Sequence, residues 1–278
     1  MGVRPWIGLA ALTAIAVAGP ARGQGISEER VRAAIDDGTR GLGQAVAGGS
    51  PLTGPARTTG GLGHFLVSAA IHATSVEIED PQRPAGTLDF LLPGVGVRGA
   101  LGITDGIAPG SALGGFGAVD VLGRVGWLAA RDEIEDVTSV YGLGVRLGLL
   151  GETALSPALS VSLARAWTGE IAYGEPDEVS FRGDVAVTSL RADLSKSLVV
   201  LSPYVGVGID RTRIEADYTI PSELSTSGGA VAGSIEPSST HTTIYAGLDF
   251  ALLLLTASIE GGVHDGNAFA AVAVRAGL

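Results

Sequence analysis

Four histidines, His64, His72, His241 and His264, are the residues of this chain best suited to proton transfer or metal binding, since imidazole titrates near neutrality and ligates transition metals. His64 and His72 share one face of an alternating segment but stand eight residues apart, roughly 26 Å at the rise of a strand. That separation is too great for one metal or one proton relay. His241 and His264 fall near loop-like segments, where a Ser/His/acid or Asp/His site stays open, because such sites are assembled in space and not along the chain. Without a cysteine or a sequential ligand cluster, the expectation is no metal, no cofactor and no enzymatic activity. The string "GLGVRLG" from Gly142 resembles a phosphate loop only in its glycines; it alternates as a strand and lacks the strand-turn-helix setting such a loop needs.

The charged residues divide into two sets by phase. Arg98, Asp120, Arg124, Arg146, Asp210, Asp249, Glu260 and Arg275 all fall on the small-residue face of segments whose opposite face is Val, Leu and Ile. Arg165, Arg211 and Arg213 fall on the apolar face itself. What these sets can do depends on the elements that carry them.

Those elements are too apolar for an ordinary soluble domain, with 43 glycines, 17% charged residues and a mean hydropathy of +0.37. Yet after the leader the longest apolar run is Phe250 to Leu255, well short of the roughly 18 residues of a spanning helix. The other architecture that satisfies every backbone group in lipid is a closed β-barrel, whose strands hide the membrane signal as alternation. Period two runs through Gly63, Gly94, Val119, Tyr141, Leu159, Ser202, Thr243, Leu255 and Ala270 onward. A tenth segment, Arg182 to Ser195, changes phase between Val185/Val187 and Leu190/Ala192/Leu194, which predicts a β-bulge near Ser189. The fold expected is therefore all-β: an antiparallel, up-and-down transmembrane barrel of about ten strands (eight to twelve), with a short N-terminal helix.

In such a barrel the eight charges of the first set line the lumen, either as the selectivity lining of a passage or as packed ion pairs that fill it. The three outward arginines lie toward the external strand ends, where they meet lipopolysaccharide phosphates or stand among loop acids. External links are expected at Asp80–Pro93, Arg131–Ser139, Gly169–Phe181 and Thr219–Thr240, with a short one at His264. The Thr219–Thr240 link, rich in Ser, Thr and Gly, reads as a mobile loop. A net charge of −11 argues against nucleic-acid partners; much of it lies in the arm and in the loop strings "RDEIED" and "GEPDE".

Residues 1–23 read as a signal peptide: Arg4, an apolar run from Trp6 to Ala18, then Pro20 and small residues at Ala21 and Gly23. Residues 24–60 form a separate arm, with a helix over 27–47 capped by Ser27, an apolar stripe of Val31, Ile35, Leu42 and Val46, and a Gly/Pro/Thr-rich linker after it. The arm is read either as a periplasmic lid, slightly preferred, or as a hatch entering the lumen. Residues 61–278 form the barrel.

The leader, the glycine-punctuated strands, "SKSLVVLSPYVGVG" from Ser195 and the ending "AVAVRAGL" resemble the bacterial outer-membrane β-barrel superfamily over Gly63 to Leu278, and the arm distantly resembles the hatch of the fatty-acid transporter family. The resemblance implies residence in the outer membrane, contact with lipid and lipopolysaccharide, and insertion by machinery that reads the final strand. Members commonly end in an aromatic residue, where this chain has Leu278. Two functions fit: a narrow passage for small solutes or lipophiles that the arm can plug, or a non-conducting structural or adhesion barrel that acts through its loops. Oligomeric state is not encoded in any of these features.

Overall fold

The computed structural model describes residues 27–79, 87–107, 115–128, 138–173 and 180–277. The leader, both acidic strings, residues 108–114 and Leu278 lie outside them. Helix α1 (Glu28–Ala47) precedes strands β1 (Phe65–Glu79), β2 (Thr87–Thr104), β3 (Ala118–Leu128), β4 (Thr138–Leu150), β5 (Ala158–Thr168), β6 (Ile171–Tyr173), β7 (Ser180–Ser195), β8 (Leu201–Ile220), β9 (Val231–Ile235), β10 (Ser238–Leu252), β11 (Leu255–His264) and β12 (Asn267–Gly277). All pairings are antiparallel, in the order β7-β5-β4-β3-β2-β1-β12-β11-β10-β8, and a β7–β8 pairing closes the ring into ten staves. β6 and β9 prolong β5 and β10 along β7 and β8. The chain enters and leaves the sheet at one end, the lower rim, where Leu66 pairs with Gly277.

Alternation holds in every stave. On β8, Val205, Val207 and Ile209 face out and Gly206, Gly208 and Asp210 face in. Two tyrosines exploit the inward glycines: Tyr204 lies over Gly247 and Tyr245 over Gly206 on the neighbouring strand, positions where any Cβ would collide with the ring.

Above Ile209 the chemistry inverts while the phase does not. The outward residues of β8 become Arg211, Arg213, Glu215, Asp217 and Thr219, and the inward ones become Thr212, Ile214, Ala216, Tyr218 and Ile220. β8 is 20 residues long, about twice the 9–11 that cross a bilayer, so its upper half stands beyond the apolar band. This inversion explains the phase change in β7. No bulge occurs near Ser189: the register of β7 with both β5 and β8 is continuous, and Val185 and Val187 simply point inward, 2% and 0% exposed. The apolar face changes sides because the surroundings change from lipid to water. Register irregularities fall instead at Gly102/Thr104 and Gly148/Leu150.

The same inversion corrects the links. β2 already begins at Thr87, and nearly half of the expected Thr219–Thr240 loop is strand (219–220, 231–235 and 238–240), leaving 221–230 as the main connection. Thr219, Gly233, Ser234 and Ser238–Thr240 belong to solvated strands of β8, β9 and β10, which carry no lipid-facing signature there.

Helix α1 and the segment after it lie inside the ring. Ile35, Leu42, Ala45 and Val46 pack in one cluster with Val76, Leu92, Leu128, Val140, Val185, Val187, Ile214, Tyr218 and Ile220. Three glycines in the helix cost up to about 1 kcal/mol each, whereas burying Ile35, Leu42 and Val46 contributes roughly 1.5–3 kcal/mol apiece. Docking therefore outweighs intrinsic propensity, and the helix depends on the barrel around it. The arm therefore packs within the ring and not as a lid outside it: Ile35, Leu42 and Val46 of its apolar stripe meet the apolar interior formed by the upper staves.

Candidate functional site

The lumen has two storeys. The upper is the apolar cup that holds α1, closed at its top by Tyr218, whose hydroxyl donates to Glu28 Oε1 at 2.8 Å. That hydrogen bond, followed by one from Arg32, holds the Glu28 carboxyl below the usual range. The lower storey, level with the apolar outer band, is polar and holds residues 48–59.

All eight lumen candidates face inward, and seven are fully buried, with Arg124 partly so. Arg146 and Asp120, directly opposite on β4 and β3, form an ion pair at 2.6 Å, and Arg275 pairs with Asp249. Asp210 pairs with Arg191 at 2.7 Å and also accepts from Ser189 and Thr243 at 2.5 and 2.7 Å. Arg191 and its β7 neighbour Asp193, which accepts from Tyr245 at 2.5 Å, were not among the sequence candidates. Their alternation with Leu190, Ala192 and Leu194 was the available signal, obscured by the expected bulge.

The remaining lumen charges bind the arm. Glu260 accepts from Ser50 N and Oγ at 3.0 and 2.5 Å, and Asp120 accepts from Thr59 Oγ1 at 2.7 Å. Arg98 donates to Ser50 O at 2.9 Å and Thr53 Oγ1 at 2.8 Å. Arg124 donates to Ala47 O, at the carboxyl end of α1, at 2.7 Å. Arg98 and Arg124 stand directly opposite each other on β2 and β3, and neither makes an ion pair among the described residues. Two like charges in that relation repel. Here the negative end of the helix and the arm carbonyls are what they face.

The three outward arginines split. Arg213 pairs with Glu236 at 2.5 Å and Glu215 at 3.2 Å on the outer rim. Arg165 and Arg211 flank Thr188 in one row across β5, β7 and β8, continued by Thr240 on β10, at the level where the apolar band ends. Arg165 and Arg211 have no ion-pair partner among the described residues.

Of the histidines, His64 lies at the lower rim and His72 Nε2 meets Ala45 O at 3.2 Å. His241 and His264 stack at 5.1 Å between ring centres. His264 Nδ1 meets Thr243 Oγ1 at 2.7 Å and Asp210 at 3.3 Å. His241 Nε2 lies 2.6 Å from Ser239 Oγ and its Nδ1 2.9 Å from Asp265 Oδ2. No group of residues that could hold a metal ion occurs among the described residues.

A closed ten-stave antiparallel sheet, apolar outside and polar within, defines the fold of a transmembrane β-barrel. Solved structures of that class are similar to this chain. The translocator domain of the autotransporter NalP from Neisseria meningitidis matches at a TM-score of 0.40 and 9% identity, covering 78% of this chain and 88% of that one. The beta domain of the Bordetella autotransporter BrkA matches at 0.37 and 14%, covering 77% and 98%. The N-terminal β-barrel domain of Pseudomonas aeruginosa OprF matches at 0.27 and 15%, covering 76% and 97%. No family model and no curated protein matches.

Proposed function

We propose that the protein is exported by its leader, inserted by the machinery that reads its final strand, and resides in the outer membrane as a narrow passage for small solutes, closed at rest by its own arm. In this reading the upper rim is external. The carrying observation is the Arg98–Arg124 pair, two adjacent lumenal cations whose partners are carbonyls of the arm. Withdrawal of the arm would leave them facing an open, glycine-rich lumen, so the passage favours anions. In the docked state the gap beside Ala47, Gly49 and Pro51 is about 40 Å3, room for only a few waters at roughly 10–15 Å3 each by that measure. That supports a closed resting state. Arg165 and Arg211, set in one row at the edge of the apolar band, fit phosphates of lipopolysaccharide.

The second reading, a non-conducting barrel acting through its rim, draws on the charged outer surface of β8 above Ile209. Single-channel recording on the refolded mature chain, with and without residues 24–60, separates the two. Anion-selective steps that appear or grow on deleting the arm support the passage. Silence from both forms, each shown to be a folded and heat-modifiable barrel, overturns it in favour of the rim.

A further inference from the structure

The apolar cup and the polar lumen leave one polar group on the wall unaccounted for. Ser239 and His241 are two residues apart on β10 and face inward together, and Asp265 occupies the short β11–β12 turn beside them. At this point the wall is low, because the β11–β12 hairpin ends at the level of His264 while β8 and β9 continue upward. Asp265 is 51% exposed at that notch and His241 is 4% exposed behind it.

The atoms are connected in the sense that nucleophilic catalysis requires. A carboxylate only accepts, so the 2.9 Å contact places the His241 proton on Nδ1, directed at Asp265 Oδ2. Nε2 is then an acceptor, and the Ser239 hydroxyl, 2.6 Å away, donates to it. Ser239 Oγ also lies 2.9 Å from Thr39 Oγ1 of helix α1, but the Thr39 proton goes to the Asp36 carbonyl at 2.7 Å. With a neutral imidazole there are three protons for these four contacts, and the contact left without one is Thr39 to Ser239. Thr39 thus covers the serine without holding it. The hydrogen bond from His241 keeps the Asp265 carboxyl below its ordinary range, and the charge of Arg40 on the helix acts in the same direction.

We propose that Ser239, His241 and Asp265 form a nucleophilic site for carboxylic esters at the upper mouth of the barrel, covered at rest by Thr39. Ser239 Oγ attacks the ester carbonyl as His241 Nε2 takes its proton. The carbonyl–oxygen bond to the alcohol breaks, and the alcohol leaves with that proton. Water, deprotonated by His241, then cleaves the acyl-serine to release the carboxylic acid and restore the serine. Asp265 orients the ring throughout. The inference is independent of whether the lumen conducts.

The test uses the full mature chain refolded into lipid vesicles and treated with a fluorophosphonate probe, with the modified peptide identified by mass. The expected result is covalent label on Ser239, at a rate that falls by orders of magnitude on His241→Ala. Ser239→Ala abolishes the label, Asp265→Asn slows it on the order of 100-fold, and Thr39→Ala accelerates it several-fold. Absence of label from Ser239 in both the wild-type chain and Thr39→Ala, each folded by heat-modified mobility, overturns the proposal. So does a labelling rate that is indifferent to His241→Ala and to Asp265→Asn, the behaviour of a merely exposed hydroxyl.

Discussion

The pair Asp120–Arg146 allows a direct test of whether the lower storey is a dry, packed interior. The side chains are 0% and 3% exposed and meet at 2.6 Å, and Asp120 also accepts from Thr59 N and Oγ1. Asp120→Asn leaves the Arg146 guanidinium buried without its counter-charge, which costs about 3–5 kcal/mol in a dry site. Arg146→Met leaves the Asp120 carboxylate with only the Thr59 donors, a loss of about 2–3 kcal/mol by the same principle. The double variant Asp120→Asn/Arg146→Met buries no charge and keeps an acceptor for Thr59, so it should cost only about 1 kcal/mol. The cycle therefore predicts a coupling of at least about 4 kcal/mol, on the order of a 1,000-fold change in the unfolding equilibrium. Urea titration in vesicles, followed by the fluorescence of outward-facing Trp127 and Trp167, measures all four forms. Single and double costs that add within about 0.5 kcal/mol would refute the reasoning, because additivity means that water solvates each charge separately.

Three further outcomes follow from the docking of the arm and the outer face. Gly41→Ala raises the intrinsic propensity of α1 by up to about 1 kcal/mol, yet the new Cβ would collide with the side chain of Val76. Overpacking costs typically about 1–3 kcal/mol, so the arm should become more sensitive to protease, whereas an isolated α1 peptide gains helicity by circular dichroism. The Glu28 carboxyl is held below its ordinary value in the docked arm, chiefly by Tyr218. Its contribution is therefore present above that value, about 4.3, and is lost as the pH falls through the lowered one; amide exchange in the first turn of α1 should quicken on acidification, and Tyr218→Phe should remove most of that dependence. Arg165→Ala/Arg211→Ala should lower lipopolysaccharide retained on the purified barrel without lowering its melting temperature, as judged by phosphate analysis and heat-modified mobility.

The staves were legible in the sequence because alternation needs only a boundary between lipid outside and a lumen within. Val205, Val207 and Ile209 against Gly206, Gly208 and Asp210 carry that boundary without any knowledge of their neighbours. The same rule failed from Arg211 upward and at Val185 and Val187. It presumes that apolar means outward, and above the band apolar means inward toward the helix. The Ser, Thr and Gly content of 231–240 hid strand structure for the same reason, since a strand wetted outside displays no lipid-facing stripe.

Chain order and residue type were enough to establish a barrel of about ten strands, the inward set of charges from Arg98 to Arg275 and the outward set Arg165, Arg211 and Arg213. Each is a statement about one strand and the medium beside it. Only the tertiary structure decided who meets whom. Closure of β7 on β8 brings Arg191 to Asp210, the position of the arm gives Arg98 and Arg124 their carbonyl partners, and the low β11–β12 turn carries Asp265 to His241, 24 residues earlier in the chain. Those contacts join segments far apart along the chain, and their specificity lies in register and in the space left inside a closed ring, quantities that no local pattern of residues contains.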